Sequence, residues 1–286
     1  MMERKTSNRR MNVSKRKNRI NCMIAVLIAV LFLFPVYWLL SMSFKSDTES
    51  FDKIVTYYPH NFTLDAWQRN LTDPEFLDSL KNSAIIATLS MIVSMVFGVP
   101  VAYGMGRYQV KGGRFFLLSF LVTQMLPASL MLTPMYLFFG QIHLLGTYFA
   151  PVLAISSGTI PFIVVTLRPY FKSIPISLDD AARIDGCGMF QSFFYIMIPA
   201  IKTGIITVLV ISFINGWNDL AYSMTFNVSP AMRPLTANIY KFQDIYGTKW
   251  NCIMAYGAIL VLPVITLFIF LQKYIVGGLT TGAVKE

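Results

Sequence analysis

The sequence predicts an all-α integral membrane protein: six transmembrane helices, with a cytoplasmic loop carrying a short helix between spans four and five. Three observations predict it. Hydrophobic residues make up 55% of the 286 and charged residues only 13%, where a soluble domain carries about 25% charge. The apolar residues gather into runs long enough to cross a bilayer, which takes about 20 residues each. Lys and Arg are also divided unevenly. With the N-terminus inside, 17 fall in cytoplasmic segments and seven in outer ones, the bias that orients membrane proteins.

The elements follow in order. Residues 1–20 hold eight Lys or Arg, from Arg4 to Arg19. They lead directly into an apolar run, so they read as a topogenic, lipid-facing cytoplasmic tail and not as a nucleic-acid arm. Residues 21–44 form the first span. Its stretch Cys22–Phe44 outruns the 7–15 residues of a signal peptide core and is expected to be retained, with a kink at Pro35. Residues 45–81 form an extracytoplasmic loop with seven acids and four bases. Leu64, Trp67 and Leu71 predict a short helix there, and Phe76, Leu77 and Leu80 another.

Residues 82–275 form a five-helix transmembrane core that includes the loop 175–204. The second span is Asn82–Gly106. The third, Phe115–Gly140, is interrupted by Pro127 and Pro134, which leave carbonyls free near Thr123 and Leu130. Such breaks survive in lipid only when covered, so this span is expected inside the bundle. The fourth, Gly146–Pro169, carries a polar, breakable patch from Ser156 to Pro161. The fifth is Gly204–Phe226, and the last is Cys252–Gln272 with Pro263 at its middle. Residues 276–286 are a cytoplasmic C-terminal tail.

Enzyme chemistry finds no footing in these residues. There is no P-loop and no G-x-S-x-G turn. Cys22, Cys187 and Cys252 lack ligand spacing, and His60 and His143 stand far apart. No catalytic residue, no metal, no cofactor and no nucleic-acid partner is expected for this chain. Asp219 is the one clear acid within a span, a functional candidate by default. Asn215 and Asn218, three apart on one helix face, offer hydrogen bonds either to a hydroxyl-rich solute or to a neighbouring helix. Asn215, Asn218 and Asp219 are therefore the candidate substrate path. An ion-coupled secondary transporter, with Asp219 taking the ion, is the alternative reading.

The most distinctive stretch is the loop 175–204, Pro-Ile-Ser-Leu-Asp-Asp-Ala-Ala-Arg-Ile-Asp-Gly followed by a second helical piece from Met189 to Pro199. Ser177 and Asp180 are spaced as a capping box. Asp179 and Asp180 sit where the helix dipole favours negative charge. Gly186 is placed for a left-handed cap. On Asp180-Ala181-Ala182, Asp185-Gly186 and Ile198-Pro199, this loop resembles the EAA loop of ABC importer membrane subunits. Asp180 stands where Glu is usual, and Thr203 stands where a second proline is usual. The ending Gly278-Leu-Thr-Thr-Gly-Ala-Val-Lys285 is similar to that of the carbohydrate-importing, maltose and glycerol-phosphate branch, and the resemblance covers most of residues 80–286.

That resemblance implies one of two homologous permease subunits in a bacterial inner or plasma membrane, both termini cytoplasmic. Its partners would be the second permease, a cytoplasmic ABC ATPase dimer that binds the ATP, an extracytoplasmic solute-binding protein and a carbohydrate cargo. Asp180, Ala181, Ala182, Asp185, Gly186 and Pro199 would dock the ATPase, and transport would proceed by alternating access.

Overall fold

The computed structural model describes residues 2–52, 54–227, 229–244 and 247–281, with backbone alone for 2–19, 244 and 274–281. The chain divides into two compact units, Met1–Asn70 with Phe242–Ile259 and Leu71–Lys241 with Leu260–Glu286.

In the first unit, α1 (Met2–Ser43) continues the first span backward through the basic segment. Residues 2–34 contain no Gly or Pro to stop it. The basic tail is thus a helical extension, and Ile20–Ser43 is the part apolar enough to cross a membrane. Beyond it, the buried Lys45 donates to the Thr56 hydroxyl at 2.7 Å and lies 5.3 Å from the Trp38 ring centroid. Burial opposes the charge of Glu49. However, the N–H groups of His60 and Asn61, the Thr56 hydroxyl and Lys45 outweigh it and hold this carboxyl below the usual range. The short helix expected around Trp67 is α2 (Asp65–Thr72). Trp67 Nε1 donates to Ser43 Oγ at 3.2 Å, and Ala66 is buried with Cys252 and Ala255. A two-stranded ribbon, Gln243–Asp244 with Gly247–Thr248, was not anticipated.

The second unit is built on three helices, α3 (Pro74–Arg107), α6 (Phe149–Ser173) and α8 (Lys202–Trp217). The sequence placed a loop up to residue 81, but α3 begins at Pro74. Asp73 caps it, accepting the Glu75 N–H at 3.0 Å, and proline suits the first turn, where its missing N–H costs nothing. Phe76, Leu77 and Leu80 are therefore the opening turns of the second span, and polar residues had masked its start.

Helices α3 and α6 run in the same direction, in step. Tyr148 bonds Asn82, Ser156 bonds the Ser90 carbonyl, Gly98 faces Ile163, and Arg107 bonds the Phe171 carbonyl. α8 runs the other way, with Gly204 against Leu167 and Gly216 against Ala87. Small residues let these backbones approach closely, as is common between membrane helices. The expected weak patch at Ser156–Pro161 is continuous helix. Thr159 returns its hydroxyl to the Ile155 carbonyl at 2.9 Å, and both Ser156 and Thr159 are buried in the seam.

Asn82 pins the segment after residue 230 to this core. Its Nδ2 donates to the carbonyls of Ala231 (2.9 Å) and Arg233 (3.1 Å), and its Oδ1 accepts from the Tyr148 hydroxyl at 2.6 Å. Ser83 Oγ accepts the Leu235 N–H alongside. Asn82→Leu, which keeps the branched side-chain skeleton without its polar atoms, is expected to destabilise the chain by roughly 1–3 kcal/mol, since it leaves buried partners unpaired. The midpoint of thermal unfolding in detergent checks this; an unchanged midpoint would assign the anchoring to Ser83 alone.

The third span is two helices, α4 (Gly113–Met125) and α5 (Ala128–Gln141), bent by 101° at Leu126-Pro127. The Thr123 carbonyl, expected free, accepts the Leu126 N–H at 3.3 Å. Nor is this span interior to the chain. No residue of α4 is buried, and only Phe139 of α5 is. The neighbours in this chain cover one side of the corner and leave the other open.

The fifth span is likewise interrupted. Met189–Ala200 meets α8 at 86°, α8 ends at Trp217, and a separate helix runs Ala221–Phe226. The last span is α9 (Trp250–Thr281), with Pro263 inside it. Among the described residues, four helices are long and apolar enough to cross a membrane, or up to six if each bent pair is one span. Residues 282–286, which complete the Gly278–Lys285 ending and the 276–286 tail, lie outside the described residues.

Candidate functional site

The helix expected to dock an ATPase is α7 (Ile176–Ile184), which follows directly on α6. The expected capping box is not formed. Pro175 occupies the cap position, so Ser177 falls inside the first turn and makes no side-chain cap. The far end is as the sequence anticipated. Gly186 has φ +77, its N–H donates to the Arg183 carbonyl at 3.1 Å, and the Cys187 N–H donates to the Ala182 carbonyl at 2.9 Å. This double closure is a Schellman motif.

Helical spacing then sorts the acidic and alanine residues. Asp179 and Ala182, three apart, share the inner face. Ala182 is buried at 2% exposure, and Asp179 pairs with Arg107. Asp180, Ala181, Asp185 and Gly186 are exposed on the outer side, with Ile184 86% exposed among them. Asp180 approaches Arg183 only at 3.9 Å and in full solvent, a pair worth little.

The second helical piece begins at Met189, where Gln191 reaches back to the Gly188 N–H at 2.9 Å. It then widens into a π-helical turn over Ser192–Met197 before Ile198–Ala200, with Pro199 exposed. Such turns recur at functional sites. Here the turn sets Phe193 and Met197 into the same buried cluster as Tyr103, Leu167 and Phe171, while Phe190 and Tyr195 remain almost 80% exposed. The segment is rooted in the α3–α6–α8 core on one side and offers acids and apolar side chains on the other.

Sequence reasoning missed Arg107, which entered only as one of the 17 Lys and Arg residues of the cytoplasmic segments. Its guanidinium is 6% exposed and donates to the carbonyls of Phe171 (3.2 Å), Ile174 (2.6 Å) and Pro175 (3.4 Å), and to the Asp179 carboxylate. From the other helix, Arg168 Nε donates to the Met105 carbonyl at 3.2 Å. Each arginine thus serves the C-terminal carbonyls of the other's helix, where cations also suit the helix dipole. A cleft of about 600 Å3 lies behind α7, bordered by Tyr103, Arg107, Lys172, Arg183 and Cys187.

The three substrate-path candidates line one open hollow of about 470 Å3, with Thr159 and Tyr222. Asn215 and Asn218 are exposed in it, and Asn215 reaches Thr159 Oγ1 at 3.5 Å. Asp219 is not within a helix. It stands at the break and accepts the N–H groups of Tyr222 (3.3 Å) and Ser223 (2.8 Å) and the Ser223 hydroxyl (2.7 Å). Both carboxylate oxygens are used to start the next helix, which explains an acid at this depth without a coupling ion. Among the described residues, no cluster of three or more His, Cys, Asp or Glu is arranged to hold a metal.

Residues 98–280 match the family described as binding-protein-dependent transport system inner membrane component. The chain is 30% identical over 261 residues to the sulfoquinovosyl glycerol transport system permease protein SmoH of Agrobacterium fabrum, covering 91% of this chain and 92% of that one. It is 27% identical over 261 residues to the diacetylchitobiose uptake system permease protein DasC of Streptomyces coelicolor, covering 91% and 95%. In fold it is similar to a chain in the crystal structure of a bacterial ABC transporter involved in the import of the acidic polysaccharide alginate. That match has a TM-score of 0.77 at 24% identity and covers 90% of this chain and 95% of that chain.

Proposed function

Because the chain belongs to the family of inner membrane components of binding-protein-dependent transport systems, we propose that it is a carbohydrate permease subunit driven through α7. It forms part of the translocation path for a sugar or oligosaccharide, and it takes its energy from ATP hydrolysed by a separate subunit. The observation that carries the coupling role is the two-sided construction of the docking segment. Phe193 and Met197 root it in the spans, while Asp180, Ala181, Asp185 and Gly186 stand exposed. Ala182 sets the helix on its base, and Pro199 closes the segment toward α8. The relatives named for diacetylchitobiose and sulfoquinovosyl glycerol, both glycosides, support a carbohydrate cargo.

In this reading the complete importer holds a second permease, two ATPase subunits and a solute-binding protein on the far side of the membrane. The excess of Lys and Arg supports cytoplasmic termini and a cytoplasmic α7. Asn215 and Asn218 face the passing sugar with amide groups, and Asp219 shapes the hollow by holding the Tyr222–Ser223 turn.

The test is gentle detergent purification of the tagged chain from its native membrane. A P-loop ATPase and a second permease are expected to accompany it, and the associated binding protein is expected to retain a carbohydrate. A chain that purifies alone and moves solute down an ion gradient in liposomes would overturn the proposal.

A further inference from the structure

We propose that Arg107 is a positioning residue that makes α7, α3 and α6 move as one, so that displacement of the docking helix becomes displacement of the spans. The inference rests on the coupling role given to α7 above. α7 is tied to the spans in two ways. Ala182 and the adjoining cluster of Phe193, Met197 and Ile174 provide apolar contact. Apolar contact is non-directional, so it resists separation more than sliding.

The guanidinium is different. Its donors are fixed in a plane. One nitrogen takes two carbonyls at the end of α6, and the other takes the Pro175 carbonyl and the Asp179 carboxylate on α7. The residue itself is the last of α3. Three elements therefore meet on one buried side chain.

Gly106, the residue before it, makes the meeting possible. A Cβ there would lie 2.8 Å from Phe171 Cβ and 3.1 Å from the Arg168 carbonyl, which would push α3 away from α6 where Arg107 must reach across. Arg168 returns the contact from α6 to Met105. A lysine at position 107 would supply the charge for Asp179 but not a planar fork that also serves the carbonyls.

The experiment uses the assembled importer, with MgATP as substrate and the associated solute-binding protein added back. In the wild-type complex, the binding protein is expected to stimulate ATP hydrolysis. In Arg107→Gln the ATPase is expected to co-purify as before while that stimulation falls about tenfold, within the range typical of coupling between sites. Arg107→Lys is expected to recover part of it, a graded rescue that a merely structural role would not show.

An Arg107→Gln complex that assembles and keeps full stimulation overturns the proposal. If Arg107→Gln does not assemble, Asp179→Asn, which leaves the carbonyl contacts in place, is read in the same way. Full stimulation in that variant also overturns it. Failure of the wild-type complex to retain an ATPase, or to respond to the binding protein, would instead sink the coupling role of α7 on which the proposal rests.

Discussion

Replacing Gly216 by leucine is expected to separate α8 from α3 and to abolish a stable fold in detergent. Even a single added carbon at this position would sit 2.7 Å from the Ala87 Cα and 3.4 Å from its N and O atoms. These are backbone atoms of a buried helix and cannot swing aside as a side-chain tip does. Gly216→Ala alone is therefore expected to cost about 1–3 kcal/mol, the usual range for overpacking; leucine costs more. The same change at Gly104 is the control. It lies in α3, where an added Cβ would meet nothing within 4 Å, so alanine there relieves helix entropy and is expected to be neutral or stabilising by up to about 1 kcal/mol. Thermal unfolding followed by size-exclusion chromatography measures both. Equal midpoints for the two alanine variants would refute the close-contact account of Gly216.

Gly186→Val is expected to uncouple transport, by a different route. A Cβ at Gly186 meets nothing within 4 Å, so crowding plays no part. The strain is conformational, because φ is +77. L-residues there cost roughly 1–2 kcal/mol, and β-branched ones are genuine outliers. α7 is nine residues long, and a helix that short is marginal without its ends. Losing the Cys187–Ala182 and Gly186–Arg183 bonds should fray the exposed face that carries Asp180 and Ala181. The expected outcome is loss of ATPase co-purification, or of most uptake, in valine. Asparagine, which tolerates the left-handed region, is expected to retain most of both. Wild-type behaviour of the valine variant would remove the closed cap from the docking role.

These two glycines show what could be read in the chain beforehand and what could not. Gly186 was legible because its cause is local: an apolar-periodic helix, a stop signal and charges within twelve residues. The apolar runs were legible for the same reason, since hydrocarbon imposes length and composition on each span separately. Gly216 could not be read, because the reason for it lies in Ala87, far away in sequence. Arg107 was hidden in the same way, since Asp179 stands 72 positions on. Asp219 was placed within a helix for the opposite reason. Its acid is spent within four residues on Tyr222 and Ser223, but a long apolar run disguised the break it caps. The start of α3 at Pro74 was missed because its first two turns are too polar to count as span.

The close seam of α3, α6 and α8 also has a mechanical meaning. Side chains between helices act as a soft layer that can be compressed or re-rotated. Where Gly216 meets the Ala87 backbone that layer is missing, and at Gly98 it is thinned to the Ile163 side chain alone. A push at one end of such a block arrives at the other end nearly undiminished. The compliance of the unit must then reside at its corners, the 101° bend at Leu126-Pro127 and the 86° bend before α8. The second unit is built as a stiff block with two corners, and motion within it is expected at those corners and not by bending of the block.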